Sequence, residues 1–177
     1  MEYDTLSLRA LIESCGEYSA QSRLDSFRCR RDLHREAYLR NSAMPLEKRE
    51  MSRTYLIVSK SDEIWGYYSL GMKCLEIRDD AVVSSSMRRK MNVNEETGVA
   101  QSYLLGQLGR SDDSPKGLGE MMLADALDIF RDANLLIGCR MVRLDCSADL
   151  VPYYKKHGFV KIGRSRSKDL DQLVMIL

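Results

Sequence analysis

The sequence predicts a mixed α/β fold, and three observations carry that expectation. Strand-like runs are interleaved with runs of helical period, and two neighbouring β-rich runs are joined by a short polar turn. The chain's longest helical pattern also starts at a glycine-rich junction that directly follows a strand. At 177 residues, with 44% hydrophobic and 30% charged residues, 3 Pro and 11 Gly, the composition is globular. A single domain over residues 1–177 is expected.

The same composition excludes collagen-like, low-complexity and wholly disordered chains. No run approaches the roughly 18 apolar residues of a membrane span, and the start (Glu2, Tyr3, Asp4) lacks the cationic stretch of an export signal. A cytoplasmic chain with no membrane partner is expected. Cys15, Cys29, Cys74, Cys139 and Cys146 are odd in number and contain no C-x-x-C pair, so reduced thiols are the simplest reading. With only His34 and His157 beside them, and no close Cys/His cluster, no metal site is expected.

Along the chain, a first helix is expected over residues 5–14, on Leu6, Leu8, Leu11 and Ile12. A second is expected over 28–41, where Leu33, Ala37 and Tyr38 recur at helical spacing and arginines take the other face; Pro45 then breaks it. Residues 54–59 and 64–72 form a hairpin over Lys60, Ser61, Asp62 and Glu63. Residues 74–77 are expected to extend that sheet, and 78–98 to be a polar excursion. A strand over 99–108 leads to the glycine junction. In the helix after it, Glu120, Asp125, Asp128, Arg131 and Asp132 gather on one side at ~100° per residue. Leu118, Met122, Leu123, Ala126, Leu127, Ile129, Phe130 and Ala133 fill the broad remainder, which suits a helix lying flat on a sheet. A strand at 141–146, a short helix at 149–156 and strands at 159–162 and 172–176 complete the order.

The net charge of +1, from 27 Lys+Arg against 26 Asp+Glu, selects no partner. Its distribution is more informative. Arg23, Arg28, Arg30, Arg31, Arg35, Arg40, Lys48, Arg49 and Arg53 outnumber the acids among them, and further clusters stand at Arg88, Arg89, Lys90 and at Lys161, Arg164, Arg166, Lys168. A polyanion would suit these clusters if the fold gathered them, and solvated faces and helix ends are the plainer account.

The junction Lys116, Gly117, Leu118, Gly119 has the chemistry of an anion receptor. The first turn of a helix leaves amide hydrogens unpaired and carries partial positive charge. Glycines let a bulky diphosphate approach that backbone, and Lys116 adds a mobile cation. The spacing is neither that of a P-loop nor that of the three-glycine dinucleotide fingerprint.

Ser114, Pro115, Lys116, Gly117, Leu118, Gly119, followed by Tyr153, Tyr154 and then Gly158, Phe159, resembles the GNAT N-acetyltransferase superfamily. That family joins a Q/R-x-x-G-x-G/A loop to an aromatic-Tyr-x-x-x-Gly-Phe signature, and the resemblance covers roughly residues 55–177. It implies a central twisted, mostly antiparallel sheet flanked by helices, and acetyl-CoA as cosubstrate. By position it implies Lys116, Gly117, Leu118, Gly119 and Glu120 at the pyrophosphate, and the backbone of Leu108, Gly109 and Arg110 along the pantetheine arm and acetyl carbonyl. Tyr154 would protonate the departing thiolate, for which a phenol with a reference pKa near 10 is a reasonable donor; a core tyrosine beside Tyr153 is the other reading. Ser114 stands where the family usually has Gln or Arg, and Pro115 removes one amide donor, so weaker coenzyme binding is expected. Ser147 is the polar substitute for an asparagine common before the tyrosine.

Phe27, Cys29, Leu33 and Ala37, then Thr54 to Val58, then Gly66, Tyr67, Tyr68, Ser69 and Leu70 are similar to the acetyltransferase toxins of bacterial toxin–antitoxin pairs. That resemblance implies aminoacyl-tRNA as acceptor, a small antitoxin protein and a homodimer as assemblies, and Arg30, Arg31, Arg88 and Arg89 as nucleic-acid contacts. An α-amine near pKa 8 is partly neutral at cytosolic pH and attacks a thioester without a dedicated strong base. Three readings stay open on the sequence: this toxin-like enzyme, a GNAT enzyme acting on a small amine or a protein lysine or N-terminus, and an acyl-CoA-binding module without catalysis.

Overall fold

The computed structural model describes residues 2–77, 81, 83–165 and 169–177. Its contacts divide into two compact units, Met1–Gly71 with Gly106–Asp128, and Met72–Leu105 with Ile129–Leu177.

In the first unit, β1 (Tyr3–Ser7) pairs antiparallel with β2 (Ser52–Ser59), which pairs with β3 (Ile64–Met72). The β2–β3 hairpin is where the sequence put it, with Asp62 of its turn at φ 67°. The helix expected over residues 5–14 is corrected at both ends. Tyr3–Ser7 is strand because its register with β2 sets Thr5 opposite Ile57. The helix α1 then runs over Leu8–Ser26, capped where the Ser7 hydroxyl accepts from the Ala10 amide and kinked at Gly16 (φ 80°, ψ 161°). The second helix also starts later than expected. In α2 (Leu33–Asn41), Asp32 accepts from the Arg35 amide as the cap. Pro45 does not end the helical stretch but sits in the first turn of α3 (Ala43–Lys48), where its missing amide proton costs little.

Leu8, Leu11, Leu24, Phe27, Leu39, Leu56 and Tyr67 form this unit's core. The Tyr67 ring stands edge-on to Phe27 at 5.5 Å between centroids and stacks on Tyr38 at 5.9 Å. Its hydroxyl donates to the Arg35 carbonyl at 2.7 Å, and burial pushes its pKa far up, so it is a fixed neutral donor. The buried Glu47 carboxylate accepts from the Thr54 amide at 2.9 Å and from Arg53 at 3.0 Å.

The second unit contains β4 (Leu75–Glu76), α4 (Ser85–Lys90), β5 (Val99–Ala100), β7 (Met141–Cys146), a 3₁₀ turn at Ala148–Leu150, α6 (Val151–Lys156), β8 (Val160–Arg164) and β9 (Asp171–Ile176). Residues 74–77 do not extend the main sheet. Leu75 and Glu76 pair with Ala100 and Val99 in a separate two-stranded ribbon. The expected excursion holds α4, while Arg78, Asp79, Asp80 and Val82 lie outside the described residues. Arg143, 4% exposed, ties this insertion to β7 by donating to the Cys74 carbonyl at 3.1 Å while bonding both oxygens of Asp145 at 3.1 Å.

Two elements belong partly to each unit, β6 (Tyr103–Arg110) and α5 (Leu118–Ile137). The sequence's single strand over 99–108 is thus two, β5 and β6. The main sheet follows the order β1-β2-β3-β6-β7-β9-β8. The pairs β1–β2, β2–β3, β7–β9 and β9–β8 are antiparallel, and β6–β7 is parallel, with Tyr103 opposite Val142 and Leu104 opposite Arg143. The chain is the expected mixed α/β fold.

On α5, the Asp125 carboxyl sits above its usual pKa range, first because burial desolvates it and second because Asp128 repels its charge. Its proton is held more tightly in the folded chain than in the unfolded one. The stability this gives is present below the ordinary carboxylate range and is lost as pH rises through the raised folded value. Asp125→Asn is therefore expected to raise the urea midpoint near pH 7.5, with the gain shrinking towards pH 4. An equal gain at both pH values would contradict it.

Candidate functional site

β6 carries Leu108, Gly109 and Arg110. Gly109 is required by space. A Cβ there would stand 2.6 Å from Cε1 of Tyr67, and one on Gly66 would stand 2.7 Å from Met122 Sδ and 3.0 Å from the Gly109 carbonyl. The strand backbone is thus pressed against the first unit's aromatic core, which fixes the height of its peptide groups.

After β6 the chain turns sharply. The Ser111 amide donates to the Trp65 carbonyl at 2.8 Å, and the Ser114 hydroxyl returns to the Ser111 carbonyl at 2.8 Å. Gly117 follows at φ +85°, with nothing within 4 Å of where a Cβ would be. That left-handed turn starts α5, whose first residue, Leu118, is fully buried. The Gly117 carbonyl accepts from the amides of Glu120 and Met121. Among the described residues the amides of Lys116, Gly117 and Gly119 meet no backbone acceptor, and Lys116 and Gly117 are exposed. Three amide hydrogens, a helix dipole and an exposed ammonium make a site for an oxyanion.

The second element of interest is a helix stop in the second unit. Phe159 donates its amide to the Tyr154 carbonyl at 3.1 Å and Gly158 to the Lys155 carbonyl at 3.1 Å, with Gly158 at φ +90°. These are the two bonds of a Schellman cap. The Phe159 ring packs against Tyr154 at 5.7 Å, supplying the apolar contact that accompanies such caps. The Tyr-x-x-x-Gly-Phe spacing therefore has a local cause: it ends α6 and clamps Tyr154, which is 5% exposed and also meets Tyr153 edge-on at 5.1 Å. Ser147 precedes the 3₁₀ turn, its carbonyl accepting from the Leu150 amide at 3.1 Å.

The basic segment is largely spoken for. Arg31 donates to the carbonyls of Arg110 and Ser111, Arg28 to those of Asp25 and Phe27, and Arg40 to Phe27. Arg23 pairs with Asp62, Lys48 with Glu17 and Arg53 with Glu47. These cations hold the unit's own loops. Arg30 differs, with a side chain 87% exposed and 3.9 Å from Asp112, whose carboxylate instead accepts from the Arg30 amide at 3.0 Å. In the second unit, Arg88 and Arg89 line a cleft of about 250 Å³ with Ser85, Val93 and Glu95. Lys161 and Arg164 pair with Asp171 and Asp169, while Arg166 and Lys168 lie outside the described residues.

Sequence reasoning counted Arg35 only within the basic surplus and passed over Gln107. Arg35 reaches Asp32 through Nε at 3.2 Å and Gln107 Oε1 through Nη1 at 2.9 Å. The signal was Gln107 as the one polar side chain in a run, residues 104–109, otherwise built of Leu and Gly.

Among the described residues no helix is long and apolar enough to cross a membrane. No family model and no curated protein sequence matches the chain. Solved structures do match. AtaT complexed with acetyl-methionyl-tRNAfMet aligns over 99% of this chain and 95% of that one, with a TM-score of 0.76 and 18% identity. A Tyr-to-Phe mutant of KacT aligns over 97% and 94%, with a TM-score of 0.74 and 16% identity. AtaTR bound with AcCoA aligns over 86% and 84%, with a TM-score of 0.64 and 18% identity. At these identities the likeness is one of fold, and the fold is the GNAT fold.

Proposed function

We propose that the chain is an acetyl-CoA-dependent N-acetyltransferase, cytoplasmic, whose acceptor is the α-amino group of aminoacyl-tRNA. The carrying observation is the exposed anion receptor at Lys116, Gly117 and Gly119, on a fold whose solved neighbours include one bound with AcCoA and one complexed with acetyl-methionyl-tRNAfMet. In this reading Lys116, Gly117, Leu118, Gly119 and Glu120 hold the diphosphate. Peptide groups of Leu108, Gly109 and Arg110 bind the acetyl carbonyl, and Ser147 adds a polar contact.

The acceptor nitrogen attacks the thioester carbonyl carbon, and the oxyanion that forms is met by strand amides. The C–S bond then breaks as Tyr154 gives its phenolic proton to the sulfur, while the new ammonium loses its proton to water, which in turn reprotonates the phenolate. A small antitoxin protein and a second copy of the chain are the proposed assemblies, in keeping with neighbours solved with the antitoxin AtaR and as a KacTA-DNA complex.

Labelled acetyl-CoA offered with charged tRNA, polyamines and a peptide mixture tests the reading. Label should accumulate on charged tRNA. Label only on polyamines or peptides would assign a small-amine or protein acetyltransferase, and coenzyme binding without transfer would assign a binding module.

Arg30→Glu bears on the acceptor alone, because Arg31, tied to two carbonyls of the loop, would disturb that loop if reversed. The Arg30 variant is expected to bind charged tRNA more weakly and to flatten the slope of log affinity against log salt by about 1. Acetyl transfer to a small amine should not change. An unchanged salt slope would remove Arg30 from the tRNA surface.

A further inference from the structure

The Gln107 carboxamide is held in one orientation. Its Oε1 accepts from Arg35 Nη1 at 2.9 Å, and an arginine has donors only, so a flipped amide would set two donors face to face. Arg35 is itself fixed, since its side chain is only 17% exposed, its Nε bonds Asp32 and its carbonyl accepts the Tyr67 hydroxyl. The same Tyr67 ring fills the face of β6 beside Gly109. Gln107 and Gly109 stand two apart on one strand and therefore share that face, about 7 Å apart along it. With Oε1 engaged, the group left to bind anything else is Nε2, a donor that meets no acceptor among the described residues, on a residue that is partly exposed.

We infer that Gln107 is the acceptor-selecting residue, its Nε2 donating a hydrogen bond to a carbonyl oxygen adjacent to the attacking amine. The inference rests on the proposed transferase reading, in which Leu108, Gly109 and Arg110, immediately after Gln107, bind the acetyl carbonyl. It narrows the substrate class to α-aminoacyl groups, which carry a carbonyl one carbon from the amine. Polyamines and lysine side chains lack that carbonyl and leave Nε2 unanswered. A site built around a fixed donor discriminates against substrates without the matching acceptor.

Two probe amines test it with the full chain: the methyl ester of methionine, and 3-(methylthio)propylamine, which has the same thioether and no carbonyl. Gln107→Leu removes the donor, and Gln107→Glu keeps the Arg35 partner while removing the donor. Both variants are expected to lose about tenfold more kcat/KM on the ester than on the alkylamine, with KM for acetyl-CoA within about twofold of wild type. Equal losses on both amines, or no loss on the ester, would overturn the inference and leave the transferase reading standing. A wild-type chain that acetylates neither amine nor charged tRNA would overturn both.

Discussion

Tyr154→Phe is expected to lower the rate of acetyl transfer by about 10²- to 10³-fold, within the range a positioned general acid contributes. Acetyl-CoA affinity should stay within about twofold. The substitution removes one oxygen and keeps the ring, so the edge contacts to Tyr153 and Phe159 and the Schellman cap that end α6 all survive. Single-turnover measurement of thiol release, paired with direct titration of acetyl-CoA, separates chemistry from binding. A rate within threefold of wild type would reduce Tyr154 to a packing residue. Raising the pH should not rescue the variant, because in the proposed mechanism the missing group is a proton donor whose ordinary pKa lies near 10.

Gly109→Ala is expected to destabilise the chain by about 3 kcal/mol, the upper end of what overpacking costs. An added methyl would stand 2.6 Å from Tyr67 Cε1, and that ring has nowhere to retreat. Phe27 and Tyr38 box it in, and its hydroxyl is bonded to Arg35. At about 2–4 °C per kcal/mol for a chain of this size, Tm should fall by roughly 6–12 °C. Tyr67→Val is destabilising on its own, yet the double variant should be more stable than the sum of the two losses implies, because the small side chain relieves the clash. Strict additivity would show that the contact is not what makes glycine necessary.

The residues that announced themselves in the sequence were those whose structure has a local cause. The hairpin over Lys60 to Glu63, the amphipathic helix after Gly117 and the strand at 141–146 follow from period and turn chemistry alone. Thr5, Leu6 and Ser7 misled because Leu6, Leu8, Leu11 and Ile12 fit a helical stripe, and only pairing with a strand some fifty residues later makes them β. Gly16 lies beyond the helix expected over residues 5–14, and its positive φ divides α1. For the candidate site, Gly117 was legible as a glycine at a strand-to-helix junction and Gly158 through the family signature, and each holds a left-handed φ at a helix boundary. The arginines were legible as a charge surplus but not in their roles, since the carbonyls that bind Arg28 and Arg31 carry no signature in the sequence. Gln107 stayed hidden for the same reason: its orientation depends on Arg35, a partner 72 positions away.

In the second unit the last strand lies inside the sheet. β9 sits between β7 and β8, pairing with the former from Met141–Ile176 to Cys146–Asp171 and with the latter from Val160–Val174 onward, and Leu173 and Val174 are fully buried. During synthesis β8 therefore emerges from the ribosome with its neighbour still unmade, and this half of the molecule cannot close until residues 171–176 have been translated. Prematurely terminated chains would carry an open sheet edge and no completed fold. Any activity that draws on this unit would be withheld until residues 171–176 have been translated.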